Sequence, residues 1–156
     1  MSDLQVIDAA LENADVVAGF VTQLLLELEP DAAEEVEQMG LSAITLKLMS
    51  EGRVRALLAL HRGEPIGVLT LHECAAIYAG GVFGEISELY VMPAYRSEGV
   101  GERLLDQASR LASQLGWQRL EVGTPPVGEW PRTRAFYERN GFLCTGSRLR
   151  QLIPSD

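Results

Sequence analysis

The sequence predicts an α+β fold, with a mixed, mostly antiparallel twisted sheet flanked by helices. Three observations support this class. The first third has apolar residues at helical spacing, the middle has strand-like apolar runs separated by short turns, and a strand-helix-strand crossover follows over residues 86–122. Strands joined by short turns pair antiparallel, whereas strands joined by a helical crossover pair in parallel. We therefore expect one parallel pair in an otherwise antiparallel sheet.

The spacing of the apolar residues, together with the turn residues that separate them, predicts where each helix and strand lies. Helical spacing predicts three helices in the first third, over residues 13–29, 31–39 and 41–51. The predicted strands are residues 4–7, 54–61, 66–74, 82–91 and 117–122. A long amphipathic helix should begin near residue 100 and end at Gly116, and a short helix should cover residues 132–139. Residues 142–145 and 149–153 are predicted to form a closing hairpin.

Length and composition favour a single domain over residues 1–156. The chain is 47% hydrophobic and 22% charged, which is enough for one sizeable core. No apolar run reaches the roughly 20 residues that a membrane span needs, and the first residues lack the pattern of a secretion signal. We expect a cytoplasmic protein.

Charge is distributed unevenly along the chain. The net charge is −9, and residues 1–51 hold eleven carboxylates against one cation, Lys47. This balance argues against binding to nucleic acid or to an anionic membrane, because both need a basic surface. The acidic part is either a solvated helix surface or an entrance for a cationic substrate. Cys74 and Cys144 form no C-x-x-C or Cys/His motif in the sequence, so neither a zinc site nor a disulfide framework is expected.

A glycine-containing loop joins the strand that ends at Val91 to the helix that begins near residue 100. The loop reads Arg96-Ser97-Glu98-Gly99-Val100-Gly101. Loop and first-turn N–H groups have no intrahelical acceptor, and the helix dipole favours an anion at this end. The order strand, loop, helix therefore predicts a phosphate site. Its spacing, R-x-x-G-x-G, fits neither the P-loop nor the dinucleotide-binding fingerprint.

Two motifs in context support a family assignment. The segment L-Y-V-M-P-x-Y-R-x-x-G-V-G is followed by an amphipathic helix, a strand and then A-F-Y-E-R-N-G-F. Together they resemble the Gcn5-related N-acetyltransferase (GNAT) family, clearly from about Gly84 to Phe142. The resemblance implies a GNAT-like fold whose central parallel strands splay to form an acetyl-CoA cleft. It implies an acetyl-CoA-dependent N-acetyltransferase without a metal, a small-molecule or peptide amine as acceptor, and a possible homodimer.

The resemblance also assigns cofactor-binding residues. Backbone N–H groups of the loop residues Arg96, Ser97, Glu98, Gly99, Val100 and Gly101 should hold the pyrophosphate, and the Arg96 side chain could add a cation. The backbone of Leu89, Tyr90 and Val91 should pair with the pantetheine arm as an added strand would. A backbone N–H near Val91 should stabilise the tetrahedral oxyanion.

For the chemistry, Tyr137 resembles the family's general acid, which protonates the departing thiolate. Glu85 and Glu88 both compete for the role of base that accepts the amine proton, and Glu88 is preferred because it directly precedes the pantetheine segment. Strict strand alternation would send their side chains to opposite faces, unless a bulge intervenes. Either carboxylate could instead be a solvated strand residue.

The sequence departs from the family pattern at one position. Many relatives carry an asparagine about seven residues before the tyrosine, where it contacts CoA, and here Trp130 stands at that position. Trp130 could cap the acceptor site or be anchored in the core. The alternative functions are a catalytically silent acyl-CoA-binding module, and an acyltransferase that uses another acyl-CoA or a hydroxyl acceptor.

Overall fold

The computed structural model describes residues 2–123, 131–146 and 148–154. Five strands form one sheet in the order β1-β2-β3-β4-β5. They are β1 (Leu4–Asp8), β2 (Arg55–His61), β3 (Glu64–Ala76), β4 (Gly81–Val91) and β5 (Leu120–Val122). The helices are α1 (Ala14–Leu28), α2 (Ala33–Met39), α3 (Leu41–Ser50), α4 (Val100–Gln114) and α5 (Pro131–Arg139). The first three strand pairs are antiparallel and β5 runs parallel to β4, which confirms the α+β class and the mixed sheet.

The chain divides into two compact units, residues 1–121 and 122–156. The first holds β1 to β4 and α1 to α4, and the second holds α5 and the C-terminal segment. The single-domain organisation stays a prediction. Among the described residues, no helix is both long and apolar enough to cross a membrane.

The core of the first unit lies on both faces of the sheet. On one face, Val68 and Tyr90 join Val17 of α1 in a buried cluster. Residues of the opposite parity, including Leu69 and Leu71, are also fully buried, and α4 contacts β2, β3 and β4. The central strands therefore read as continuous apolar runs, because helices cover both of their faces.

Trp117 lies outside the last strand, because its backbone N–H donates to the carbonyl of Ala112 in α4 at 2.8 Å, and its ring packs against Gly84. A Cβ atom on Gly84 would lie 2.4 Å from the Trp117 ring, so only glycine leaves room for the indole there. The indole Nε1 donates a hydrogen bond to Glu73 at 2.8 Å. Trp117 is thus a buried anchor outside the strand, and β5 begins three residues later than predicted, at Leu120.

The predicted closing hairpin is wrong for the described residues. Residues 142–146 and 148–154 have no regular secondary structure. Leu143 is 86% exposed and Leu149 is 94% exposed. In a strand, residues 149 and 153 would share one face with Gln151 and residue 152 would take the other, so neither face of this segment is uniformly apolar.

Candidate active site

A β-bulge in β4 brings both candidate base residues to the same face of the sheet. In the β3–β4 ladder Thr70 pairs with Glu88, whereas Leu71 pairs with Ile86, so Ser87 is the extra residue. His72 then pairs with Glu85. Since Thr70 and His72 share a face of β3, Glu85 and Glu88 share that face of β4. The expectation of opposite faces from strict alternation is therefore replaced by a common face.

The Glu88 carboxylate is held by the buried hydroxyl of Thr70. The Thr70 hydroxyl donates a hydrogen bond to Oε1 of Glu88, and the Glu88 backbone N–H donates one to Thr70 Oγ1 at 3.0 Å. Thr70 is 2% exposed, whereas Glu88 is half-buried and keeps a solvent-accessible side. The first bond orients the carboxylate on the sheet face, and the second holds the Thr70 hydroxyl in place to donate it.

Glu85 lies in a different environment, beside two other residues with metal-ligand chemistry. One ligand atom from each of His72, Cys74 and Glu85 lies within 4.8 Å of the others, and all three side chains are half-buried. The cluster was not predicted from the sequence, because Glu85 joins His72 and Cys74 only through the pairing of β3 with β4. The available signal was the alternation His72-x-Cys74 in one strand of a predicted hairpin.

The end of β4 presents backbone groups away from β3. The N–H of Met92 donates to the carbonyl of Ile66 at 2.9 Å, so that pair is hydrogen-bonded. In an antiparallel ladder the hydrogen-bonded and non-bonded pairs alternate, and the next pair, Gly67 with Val91, is therefore non-bonded. The N–H groups of Val91 and Leu89 point to the edge of β4 that faces away from β3, as pairing with an added extended ligand requires.

The glycine loop leads directly into α4, as predicted. Gly99 is the N-cap residue of α4 and adopts a left-handed conformation with φ +83°. No atom of the described residues lies within 4 Å of the position where a Cβ on Gly99 would stand. The first N–H groups of α4 have no intrahelical acceptor. The backbone at Gly99 is therefore open to close approach, and pyrophosphate binding by the loop stays a prediction.

The Arg96 side chain makes contacts that the sequence analysis did not predict. Its guanidinium forms two hydrogen bonds with the Glu27 carboxylate of α1, at 2.6 and 2.8 Å. Its Nε donates to the carbonyl of Val91 at 2.8 Å, and its guanidinium carbon lies 5.3 Å from the centroid of the Tyr90 ring. The pKa of Arg96 is raised, chiefly by the hydrogen bond to Glu27. In this structure Arg96 joins the loop to α1 and to the end of β4.

Tyr137 belongs to the second unit, in the last turn of α5. Its ring makes edge-to-face contacts with Phe136 and Phe142, with centroids 5.3 and 5.4 Å apart. The residue is 6% exposed, and this burial raises the pKa of Tyr137 to about 12. The phenol is therefore neutral and able to donate a hydrogen bond at physiological pH.

Other described residues that the sequence singled out are not part of the site on β4. His61 contacts the Tyr95 ring edge-to-face at 5.4 Å, and Cys144 is exposed in the C-terminal segment. Trp130 lies outside the described residues. A cavity of about 350 Å³ near Arg55 and Met49 is lined, among the described residues, by none of the predicted site residues.

The first unit thus defines a class of protein in which a strand bearing half-buried carboxylates leads through a glycine loop into the N-terminus of a helix. The family model described as the Acetyltransferase (GNAT) family matches residues 15–142. The chain belongs to the GNAT family and is an N-acetyltransferase of that type, so the resemblance noted in the sequence is confirmed. Members of the family use acetyl-CoA.

Individual relatives support the same assignment. The chain is 32% identical to the aminoalkylphosphonate N-acetyltransferase of Salmonella typhimurium over 146 residues, covering 93% of this chain and 88% of that one. It is 40% identical to an amino-acid acetyltransferase of Pseudomonas putida over 65 residues, which is 40% of this chain and 15% of that protein. The structure of a GCN5-related N-acetyltransferase from Ralstonia eutropha superposes with a TM-score of 0.80 at 17% identity, over 96% of this chain and 98% of that chain, which supports the fold.

Proposed function

We propose that this chain transfers an acetyl group from acetyl-CoA to the primary amine of a small acceptor, directly and within a ternary complex. The observation that carries the proposal is the bulge at Ser87. It places two half-buried carboxylates on one face of β4, and the same strand continues into the glycine loop and α4. One short stretch of chain thereby supplies both a proton acceptor and a phosphate site.

In this proposal Glu88 accepts the proton of the acceptor amine, directly or through water. An alkylammonium has a pKa of ~10.4 and is not a nucleophile until it loses that proton. The hydrogen bond from the Thr70 hydroxyl holds the Glu88 carboxylate in one orientation, which supports Glu88 in this role. Glu85 is the second candidate, because it lies on the same face.

The backbone performs the remaining steps on the cofactor side. The first N–H groups of α4, with Gly99 at the N-cap, bind the pyrophosphate. The N–H of Val91 points away from β3 and donates to the developing oxyanion. Tyr137 donates a hydrogen bond to the departing sulfur. Acetyl-CoA itself supplies the activated acyl group as a thioester.

Two classes of acceptor each have one supporting observation. The relative from Salmonella typhimurium is named for aminoalkylphosphonates, which carry an amine and an acidic group on one small molecule. The eleven carboxylates of residues 1–51 favour instead a cationic amine. A panel should therefore contain aminoalkylphosphonates, amino acids, polyamines and aminoglycosides.

The test measures CoA release and acetylated product for each amine with the wild type and with Glu88→Gln, Glu85→Gln and Tyr137→Phe. We expect Glu88→Gln to lower kcat/KM by at least about 100-fold, the usual effect of removing a general base. Glu85→Gln is the matched comparison between the two candidate bases, because it makes the same chemical change three residues away on the same face. A larger loss in Glu85→Gln than in Glu88→Gln would assign the base to Glu85.

Two further outcomes would contradict the proposal. Tight CoA binding without turnover of any amine would indicate a silent acyl-CoA-binding module. Faster transfer to hydroxyl acceptors, or from a longer acyl-CoA, would indicate a different acyltransferase.

A further inference from the structure

The β3–β4 hairpin assembles a thiol, an imidazole and a carboxylate at one place on the sheet. His72 and Cys74 alternate along β3 and so project from the same face, and Glu85 is the residue of β4 that pairs with His72. Their ligand atoms lie within 4.8 Å of one another, and each side chain is half-buried. The ladder therefore brings together three residues that are remote from any sequence motif.

The chemistry of this set selects a borderline-soft divalent cation. Thiolate and imidazole ligands suit Zn²⁺, whereas Ca²⁺ and Mg²⁺ prefer sites made of oxygen atoms. Phe83, which pairs with Cys74 across the ladder, is 6% exposed and supplies an apolar neighbour on that side. The partial burial leaves a path for an ion from solvent.

We propose that His72, Cys74 and Glu85 form a Zn²⁺ site with three protein ligands and a fourth position for water. Ligand atoms around tetrahedral Zn²⁺, at ~2.0–2.3 Å from the ion, lie roughly 3.3–3.8 Å apart. Ligand atoms up to 4.8 Å apart must therefore come about 1–1.5 Å closer, a movement that side-chain rotation would have to supply. Binding displaces a proton from the Cys74 thiol, so affinity increases with pH.

Ser87 supports the site from the bulge. Its hydroxyl lies 2.9 Å from Nδ1 of His72, within hydrogen-bond distance. Partners of this kind hold a ligating imidazole in one orientation, and their loss typically weakens metal affinity by ~10–100-fold. The bulge thus has two effects, since it also keeps Glu85 on the face of His72 and Cys74.

Occupancy of the site has a consequence for catalysis, which rests on the proposed function. A bound Zn²⁺ would coordinate the Glu85 carboxylate, which could then no longer accept a proton. It would also place a positive charge on the sheet face where the proposed function puts the acceptor ammonium. We therefore expect Zn²⁺ to inhibit acetyl transfer, with the acetylated amine measured by chromatography because CoA thiols also bind zinc.

Metal binding itself is tested without turnover. Wild-type protein is titrated with Co²⁺, with the thiolate-to-cobalt charge-transfer absorption as the signal, and then with Zn²⁺ in competition with a chromophoric chelator. We expect Cys74→Ser to abolish the absorption, and His72→Gln and Glu85→Gln each to weaken affinity at least ~10-fold. Cys144→Ser and His61→Gln are matched controls at the second cysteine and the second histidine, and should bind as the wild type does.

The outcomes separate the two proposals. Unchanged Zn²⁺ affinity in Cys74→Ser, or loss of the signal in Cys144→Ser, would overturn the metal site whatever the activity. Circular dichroism of each variant verifies folding, and Ser87→Ala offers a milder change whose unaltered affinity would contradict the supporting role of Ser87. If the protein proved to have no acetyltransferase activity, the cobalt titration would still decide the site.

Discussion

At the residue scale, Tyr137 shows how burial constrains a proton donor. Its pKa of about 12 lies well above the ~8.5 that a thiol such as CoA has by analogy with cysteine. Complete proton transfer to the thiolate would then be unfavourable by roughly 5 kcal/mol, at about 1.36 kcal/mol for each unit of difference. We therefore interpret the proposed role of Tyr137 as hydrogen-bond donation to the sulfur, with solvent completing the protonation.

The raised pKa of Tyr137 predicts a dependence of stability on alkaline pH. An unfolded tyrosine ionises near pH ~10, whereas the buried one holds its proton to about 12. The unfolded state binds fewer protons between these values, so the free energy of unfolding falls as pH rises through this window. We expect Tyr137 to account for a loss of about 2 kcal/mol.

Urea unfolding of the wild type, Tyr137→Phe and Tyr78→Phe across this pH range measures the effect. Tyr137→Phe should show the shallower decline. Tyr78, which is 78% exposed, is the control and should leave the decline unchanged. Equal slopes for the wild type and Tyr137→Phe would contradict the assignment.

The Arg96–Glu27 ion pair supports a second prediction at this scale. Both side chains are 40% exposed, so the pair adds at most about 1 kcal/mol to stability. Its main effect is to position the loop, because Arg96 also binds the Val91 carbonyl. We expect Glu27→Gln to raise the KM for acetyl-CoA about threefold with little change in kcat, in line with the modest energy of an exposed pair.

Steady-state kinetics with acetyl-CoA as the varied substrate tests this prediction. Glu29→Gln removes the same charge just beyond the end of α1 and should behave as the wild type does. A lower KM in Glu27→Gln would mean that the freed Arg96 side chain binds the phosphates directly, contrary to the positioning role.

At the element scale, the start of α4 depends on Gly99. Its φ of +83° is a conformation that costs an L-residue with a side chain about 1–2 kcal/mol. We expect Gly99→Ala to lower the free energy of unfolding by about this amount and to weaken acetyl-CoA binding, because the loop N–H groups would be displaced.

Gly19→Ala is a control that should change the free energy of unfolding in the opposite direction. Gly19 lies within α1, and no described atom lies within 4 Å of its Cβ position. Alanine should stabilise the helix there by roughly 0.5–1 kcal/mol. Denaturant unfolding and CoA titration of both variants suffice, and a Gly99→Ala protein as stable as the wild type would exclude a backbone requirement at the loop.

At the scale of the whole molecule, the uneven distribution of charge bears on whether the acceptor is cationic. Glu34, Glu35 and Glu37 are exposed on α2, where they can act on an approaching substrate. If the acceptor is cationic, replacing all three with Gln should lower kcat/KM at least roughly threefold and weaken its dependence on salt.

The acceptor panel supplies the internal control for this variant. For an aminoalkylphosphonate, whose net charge is not positive, the same triple variant should show an unchanged or higher kcat/KM. Salt-dependent kinetics for both acceptors distinguish the two classes. An unchanged KM for cationic amines would remove the argument for a cationic acceptor.

The spacing of apolar residues was sufficient to predict the positions of helices and strands that have a strong local pattern. The amphipathic helices α1 and α4 and the strands β2 to β4 lie within a few residues of their predicted positions, since Pro30 and Gly116 end the two helices. The errors lie where local pattern is weak. β5 is shorter because the backbone N–H of Trp117 bonds to the Ala112 carbonyl of α4, and the C-terminal segment has no uniformly apolar strand face.

The sequence by itself determined the fold class, the family and the position of the glycine loop, because these depend on periodicity and spacing within a short stretch of chain. Only the tertiary structure decided which side chains meet. A single extra residue, Ser87, brings Glu85 and Glu88 to one face, and Arg96 finds its partner 69 residues away at Glu27. The sheet likewise unites His72, Cys74 and Glu85. Register shifts and long-range contacts are set by packing between elements, which local sequence patterns do not encode.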